Sequence, residues 1–191
     1  PSEFKIENNM VICPKKISNS FNQYYVNIGH NLAQSIPQTQ TDPLDYVTGS
    51  TNSIYISNTS PHEIASLISN LKNSSPGHDG IDAKILKQSY QNITDPLTYV
   101  FNKSLNQGKF PHQLKLARVT PIYKSGDPTL MSNYRPVSVL PVFSKILEKL
   151  MLKRLNDFFE SNNIFYKLQF GFRSKYSTSL ALIYLVDTIL N

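Results

Sequence analysis

The chain has 191 residues, of which 40% are hydrophobic and 17% charged, enough for one domain with a sizeable apolar core. One cysteine, Cys13, excludes an intrachain disulfide and a cysteine-based zinc site, and four widely spaced histidines form no metal-ligand pattern. The net charge of +6 is uneven: residues 1–100 hold six lysines against eight carboxylates, whereas residues 101–191 hold thirteen lysines and arginines against five. That basic half is either a nucleic-acid surface or a solvated face.

No apolar run approaches the ~20 residues that cross a membrane, so no membrane partner is expected. A secretory signal peptide is not recognisable at the N-terminus, which begins with Pro1. Together with the single cysteine, this favours an intracellular location, in the cytoplasm or the nucleus, and a chain that is a piece of a longer protein.

The N-terminal part predicts one amphipathic helix and a linker. Apolar residues recur at helical spacing from Ile17 to Ile36 and Pro37 ends the run. Residues 37–59 are rich in Ser, Thr, Asn and Pro, typical of a linker, with one short strand at 53–56. We therefore expect an N-terminal extension and linker over residues 1–57. Its helix either packs on the body of the protein or lies loosely beside it.

A helical unit is predicted over residues 58–110. Ser60-Pro61-His62-Glu63 is a capping box with proline in the first turn, so a helix begins at residue 60. Asp82 can cap a second helix, and Thr94-Asp95-Pro96 can begin a third, which Gly108 ends. Between the first two helices, the glycines of the 73–80 loop indicate a tight turn.

A β-hairpin is predicted next. Two short apolar runs, Val119–Tyr123 and Arg135–Leu140, flank a turn cluster in which Gly126 can adopt a positive φ. The hairpin offers Lys124 at a flexible tip and Arg135 on its return strand. A point charge beside a planar five-donor fork suits a polyphosphate. Two solvated surface cations are the alternative.

A long helix over residues 142–161 should follow the hairpin. On one of its faces Lys145, Lys149 and Lys153 recur at every fourth residue, joined by Arg154. Steps of four residues turn by about 40° each, so the three ammonium groups stay within a quarter of the circumference. The stripe is either a solvated face or a rail for backbone phosphates.

The end of the chain predicts an extended segment over residues 164–172 and a last helix capped by Ser177. The apolar residues of that helix are expected to face the core: Leu180, Ala181, Tyr184, Leu185 and Ile189. The expected fold class is therefore α+β, helix-rich with a small antiparallel hairpin.

Four short sequence motifs follow one another along the chain. They are KNSSPGHDGI (72–81), TPIYKSGD (120–127) with NYRPVS (133–138), SKILEK (144–149), and QFGFR (169–173) with Ser177-Thr178. Together, over roughly residues 60–182, they resemble the fingers of reverse transcriptases from non-LTR (LINE-class, jockey-like) retrotransposons. The resemblance implies an RNA-directed DNA polymerase whose N-terminal part lies in residues 58–110 and whose fingers lie in 111–191.

The resemblance also implies roles for individual residues. Lys124 would lie over the outer phosphates of an incoming dNTP and Arg135 would bind them as a fork. The 73–80 loop would lie near the entrance for nucleic acid. Phe170 and Phe172 either stack on bases or pack in the core, and we expect core packing. The resemblance also implies template contacts from Gln169, Gly171, Arg173 and Lys175. Contacts with the nucleic-acid backbone from Lys145, Lys149 and Lys153 rest on their spacing alone and stay one of the two interpretations of that stripe.

Nucleotide polymerisation uses Mg²⁺ ions held by carboxylates. In the resembled family these belong to a Phe-x-Asp strand and a Tyr-x-Asp-Asp turn, and neither motif occurs here. Asp187 is expected to be a solvent-facing helix residue. The implied partners are an RNA template, a DNA primer, dNTP, the missing palm and thumb, and an upstream endonuclease domain as a further candidate. The chain alone is expected to be inactive. A non-catalytic RNA- or DNA-binding remnant and a truncated pseudogene product are the alternatives.

Overall fold

The computed structural model describes residues 1–7, 9–37, 41–46 and 52–190. Five α-helices, three short 3-10 helices and two antiparallel pairs of strands are the regular elements of the described part, in agreement with the α+β class expected from the sequence. In chain order the strands and α-helices are β1 (Phe4–Ile6), β2 (Asn9–Val11), α1 (Pro14–Gln34), α2 (Pro61–Ser69), α3 (Ala83–Gln107), β3 (Arg118–Tyr123), β4 (Tyr134–Val139), α4 (Val142–Ser161) and α5 (Thr178–Leu190).

The hydrophobic core lies where α2, α3 and α4 meet. Ser60 caps α2 by accepting a hydrogen bond from the Glu63 amide at 3.2 Å, and Asp82 caps α3 through the Ile85 amide at 2.8 Å. Gly108 ends α3 in the left-handed conformation at φ 61°. Buried residues of all three helices form one cluster, in which α2 packs against both α3 and α4. The fully buried side chains include Ile64, Ile68, Leu86, Phe101, Ile146, Leu147 and Leu150.

The two helices predicted on either side of residue 94 form one continuous helix, α3, with Pro96 in its interior. Proline removes one hydrogen-bond donor and usually bends or breaks a helix. Here the apolar positions on both sides of it, Leu86 and Leu97, are buried in the same core. We attribute the continuity of the helix to this shared burial.

The N-terminal helix begins earlier than predicted, at Pro14, and a short β1–β2 hairpin that the sequence did not predict precedes it. The strand predicted at 53–56 is wrong, since these residues have no regular structure. The carbonyls just after it, of Ser57 and Asn58, accept hydrogen bonds from the Arg154 guanidinium at 2.8 and 3.2 Å. Residues 38–40 and 47–51 of the predicted linker lie outside the described residues.

The last helix, α5, does not face the core as predicted. None of its residues is buried, and Leu185 and Ile189 expose 54% and 73% of their surface. One side-chain contact with the preceding segment is between the rings of Phe170 and Tyr184, whose centroids lie 5.9 Å apart. The apolar residues of this helix are therefore exposed, since the described part of the chain does not bury them. The domain boundaries at 57/58 and 110/111 stay predictions.

Candidate functional site

The hairpin formed by β3 and β4 has one outer face that carries the predicted cations. In its register Ile122 pairs with Arg135, and the amide of Lys124 extends the ladder by donating to the Asn133 carbonyl at 2.9 Å. Lys124 lies two residues beyond Ile122, so the alternation of side chains places it on the same face as Arg135. Both side chains are exposed, and neither forms an ion pair with a described residue.

The tip of the hairpin is held by hydrogen bonds, contrary to the flexible tip expected from the sequence. The Asp127 carboxylate accepts from the amide and the hydroxyl of Thr129 at 2.9 and 2.8 Å, and these bonds lower the pKa of Asp127. The Asn133 side chain donates to the Asp127 carbonyl at 2.8 Å. Gly126 has φ 90°, as predicted, and a Cβ there would lie 2.8 Å from the Asn133 Nδ2.

The opposite face of the hairpin packs against the N-terminal elements. The rings of Phe4, Phe21 and Tyr134 contact one another with centroids 5.0 to 5.4 Å apart. The amide of Lys5 donates to the Thr129 carbonyl at 2.9 Å and so ties β1 to the tip. The N-terminal helix therefore packs on the body, one of the two arrangements expected, and it does so directly behind the face that carries Lys124.

An apolar cavity of about 570 Å³ remains between α1 and this face of the hairpin. Tyr25 lines it, and its hydroxyl is buried without a hydrogen-bond partner in the described part of the chain. Burial raises the pKa of Tyr25.

The 73–80 loop contacts the base of the hairpin. The Arg118 guanidinium donates to the Pro76 carbonyl at 3.2 Å, and the His78 Nδ1 lies 3.2 Å from the carbonyl oxygen of Leu116. Gly80 has φ 72°, which fits the predicted tight turn. At Gly77 the reason for glycine is space, because a Cβ would lie 2.7 Å from the backbone nitrogen of Pro141. The loop is thereby fixed where β4 continues into α4.

The three lysines of α4 have different surroundings. Lys145 donates to the Ser74 hydroxyl at 2.9 Å, and Lys153 pairs with Asp157 at 2.8 Å. Lys149 lines a cavity of about 800 Å³ together with Lys145 and with Lys72, which sequence analysis did not single out. Lys72 begins the KNSSPGHDGI block, but no local pattern indicates that it approaches a helix more than seventy residues later.

Arg154, grouped with these lysines in the sequence, is not part of an exposed stripe. Its side chain is 9% exposed and binds the Glu63 carboxylate through two nitrogens, at 2.9 and 3.2 Å. Hydrogen bonding from Arg154 lowers the pKa of Glu63, against the opposing effect of burial. Arg154 therefore joins α4 to α2.

The 169–175 segment exposes three of the four residues predicted to contact a template. Gln169, Gly171 and Lys175 are exposed, and nothing in the described chain lies within 4 Å of where a Cβ at Gly171 would be. The side chain of Arg173 is only 9% exposed. It pairs with Glu160 at 3.2 Å and lies over the ring of Tyr176, 4.1 Å from its centroid.

The two phenylalanines of that segment behave differently. Phe170 is half-buried against the rings of Tyr176 and Tyr184, each with centroids 5.9 Å away. Phe172 is fully exposed with φ 60°, so the expectation of core packing is wrong for it. The left-handed backbone at Phe172 accompanies a side chain turned to solvent, a conformation that sequence periodicity does not report.

Neither a metal-binding cluster nor a membrane span is found in the described ranges. They hold no group of three or more His, Cys, Asp or Glu side chains that could hold a metal ion. No helix among them is long and apolar enough to cross a membrane. Cys13 is a free thiol on the surface.

Comparison with known proteins gives several relatives. A probable RNA-directed DNA polymerase from transposon X-element of Drosophila melanogaster is 36% identical over 132 residues, 68% of this chain and 14% of that protein. The RNA-directed DNA polymerase from mobile element jockey of the same organism is 36% identical over 118 residues, 61% of this chain and 13% of that protein.

A putative 115 kDa protein in its type-1 retrotransposable element R1DM is 34% identical over 114 residues, 58% of this chain and 11% of that protein. No protein-family profile matches the chain. The aligned part of this chain thus corresponds to less than one sixth of each of these three relatives.

Proposed function

Because the chain belongs to the jockey-like family of non-LTR retrotransposon reverse transcriptases, we propose that it forms the fingers and N-terminal extension of an RNA-directed DNA polymerase. Its hairpin contacts the triphosphate of the incoming dNTP. The observation that carries this proposal is the shared outer face of Lys124 and Arg135 on a hairpin held from behind by α1. Two unpaired cations on a fixed support suit a polyphosphate.

The geometry supports a ligand-binding role for Arg135 over a structural one. The competing explanation is that Arg135 anchors the return strand. Its side chain is exposed and donates no hydrogen bond to another residue of the described chain, whereas Arg118 on the same face donates to the Pro76 carbonyl. Of these two arginines, Arg118 is the one with a structural contact.

The nucleic-acid contacts belong to the same proposal. Gln169, Gly171 and Lys175 are accessible to a template strand, and Arg173 would reach it after its ion pair with Glu160 opens. Lys149 would contact backbone phosphates directly, and Lys145 and Lys153 would do so only after their bonds to Ser74 and Asp157 open. The partners are an RNA template, a DNA primer, the palm and thumb, and an upstream endonuclease domain of the same polyprotein, acting inside the cell in the cytoplasm or nucleus.

We propose that nucleotide polymerisation itself uses residues that are not among these 191. Bound Mg²⁺ would activate the primer hydroxyl and neutralise the triphosphate through carboxylates that these residues do not include. The 191-residue chain by itself should therefore incorporate no dNTP in primer extension with any template. Templated incorporation by the purified chain, free of contaminating polymerase, would contradict this.

The test of the hairpin uses a polymerase that contains this chain. Replacing Arg135 by Ala should lower kcat/KM for dNTP about ten- to a hundredfold, because hydrogen bonds to charged groups contribute roughly 1.5–3 kcal/mol each. Arg135→Lys should recover part of the loss by restoring charge without the fork. Lys124→Ala should act in the same direction but less severely. Steady-state dNTP kinetics and a thermal melt are measured together.

The matched control is Arg118→Ala, on the same face at the other end of the hairpin. It should leave dNTP kinetics unchanged while lowering the melting temperature, since it removes the contact with Pro76. The triphosphate role would be refuted if Arg135→Ala lowered the melting temperature and left the dNTP KM and kcat unaltered.

A further inference from the structure

A second surface, lined by both apolar and charged side chains, lies between the end of α2, the start of the 73–80 loop and α4. It forms an open cavity of about 800 Å³. The apolar part of the lining consists of Leu71, Phe110, Met151, Leu152 and Leu155. Leu71 is buried and Leu152 is 56% exposed, so the apolar lining reaches from the core to the surface.

The same cavity is lined by Lys72, Lys145 and Lys149 and by one carboxylate, Glu148. Lys145 is held at the cavity by the Ser74 hydroxyl, 2.9 Å from its Nζ. Neither Lys72 nor Lys149 forms an ion pair with any residue of the described part of the chain. The lining therefore has an excess of positive charge that favours an anionic occupant.

The apolar surface continues into a smaller cavity of about 190 Å³. Phe110 and Met151 line both cavities, and the smaller one adds Lys109. A row of two apolar cavities, each with lysine in its lining, matches a chain in which flat apolar groups alternate with negative charges. Single-stranded nucleic acid has this character, because its bases are free to leave the strand while its phosphates follow a basic surface.

We propose that this double cavity, defined by Phe110 and Met151 as its common wall, binds single-stranded RNA by seating bases against the apolar lining and phosphates on Lys72 and Lys149. A duplex does not fit this arrangement, since its bases are paired and stacked inside the helix. The inference rests on the proposed function for the choice of RNA as the anionic chain. It goes beyond a phosphate rail because it assigns a site to the bases.

The experiment uses the full 191-residue chain, a labelled single-stranded oligoadenylate and an abasic ribose-phosphate oligomer of the same length. Leu152→Ser should weaken oligoadenylate binding about three- to tenfold and leave binding of the abasic oligomer unchanged, because only a base meets the apolar lining. Lys72→Gln with Lys149→Gln should weaken both ligands and lower the salt slope by about 1.4, from ~0.7 per phosphate contact.

Matched controls separate the site from general effects. Leu182→Ser changes a leucine of similar exposure, 61% against 56%, on α5. Lys15→Gln with Lys16→Gln removes the same charge from α1. Both controls should bind like the wild type, with circular dichroism confirming that each variant is folded.

Three results would overturn the inference alone. Equal affinity for oligoadenylate and the abasic oligomer would leave only a phosphate surface. If Leu152→Ser bound oligoadenylate as tightly as the wild type does, the bases would not be seated in the cavity. Stronger competition by an acidic leucine-containing peptide than by unlabelled RNA would assign the cavity to a protein. If the wild-type chain bound no RNA at all, both this inference and the nucleic-acid part of the proposed function would be refuted. The first three results leave that part of the proposed function standing.

Discussion

Lys153 and Arg154 are consecutive residues of α4 with opposite surroundings. Lys153 and its partner Asp157 are both 63% exposed, one helical turn apart. Arg154 is 9% exposed and binds Glu63, which lies 91 positions away in the sequence. Spacing along one helix can show that two cations lie near one face, but it cannot show which of them meets a carboxylate from another element.

The two cations should therefore differ in their effect on stability. Arg154→Ala removes the fork and leaves the half-buried Glu63 carboxylate without its main partner, so it should lower the free energy of unfolding by about 2–4 kcal/mol. Lys153→Ala, the matched control, should cost about 0–0.5 kcal/mol. Urea denaturation at neutral pH measures both. Equal losses for the two variants would contradict the structural role of Arg154.

The same pair predicts a pH dependence. Since Arg154 lowers the pKa of Glu63 below its usual 4.5, the ionised pair stabilises the folded chain above that pH. This stabilisation is lost as the pH falls through the lower, native-state pKa. The difference in stability between the wild type and Arg154→Ala should accordingly shrink in acid and be constant near neutral pH. A difference that stayed constant into acid would assign it to lost packing alone.

Among the elements, β1 and α1 together cover the inner face of the β3–β4 hairpin, so we expect the stability of this hairpin to depend on them. Phe4→Ala removes one of three mutually packed rings and should increase amide hydrogen exchange in β3 and β4 by about tenfold or more. Met10→Ala is the control, because Met10 lies on the same small hairpin but is 49% exposed. Unchanged exchange in β3 and β4 after Phe4→Ala would show that the hairpin is stable without this support.

Helix α5 should be the least protected helix of the described chain. It has 13 residues and none is buried, so it lacks the tertiary packing that most helices of this length need. Its amides should exchange orders of magnitude faster than those of α3, which supplies six buried residues to the protein interior. Mass-resolved hydrogen exchange at low protein concentration measures this. Protection equal to that of α3 would mean that another surface covers the helix in solution.

Local signals predicted elements well, and long-range packing decided the rest. The Ser60 and Asp82 caps, the Gly108 end and the hairpin strands follow from residues next to each other in sequence. The continuity of α3 through Pro96 depends on a core assembled from three helices. The exposure of α5 depends on what its apolar face meets, which periodicity does not specify.

At the scale of the whole molecule, positive charge is concentrated in residues 101–191 but is partly neutralised inside the structure. Replacing Lys145, Lys149 and Lys153 together by Gln would lower the salt slope of RNA binding by about 2 if all three met phosphate. Because Lys145 and Lys153 have partners within the protein, we expect a decrease nearer 1. Lys84, Lys87 and Lys103 on α3 supply the matched triple variant. A slope equal to that of the wild type would make the stripe a solvated face.

Some parts of the candidate site could be predicted from the sequence and others could not. The outer-face pairing of Lys124 with Arg135 follows from the hairpin, since a register fixes both sides of a two-stranded ladder. The enclosure of Arg173 between Glu160 and Tyr176 does not, because it needs the fold of an irregular segment. The position of Lys72 beside Lys145 and Lys149 was not predictable either, because it depends on how the 73–80 loop and α4 pack in three dimensions.

The contact of Phe4 with Tyr134 can form only late in translation of the chain. The two residues are 130 positions apart, so at about 5–20 residues per second the ring of Phe4 waits roughly 6–26 s on the ribosome before its partner is made. Until then the first β-hairpin has no aromatic surface from β4 to cover it. The support behind Lys124 and Arg135 is thus among the contacts of longest sequence separation, which are the slowest to form. The β3–β4 hairpin would acquire its final rigidity only after its own strands had been translated.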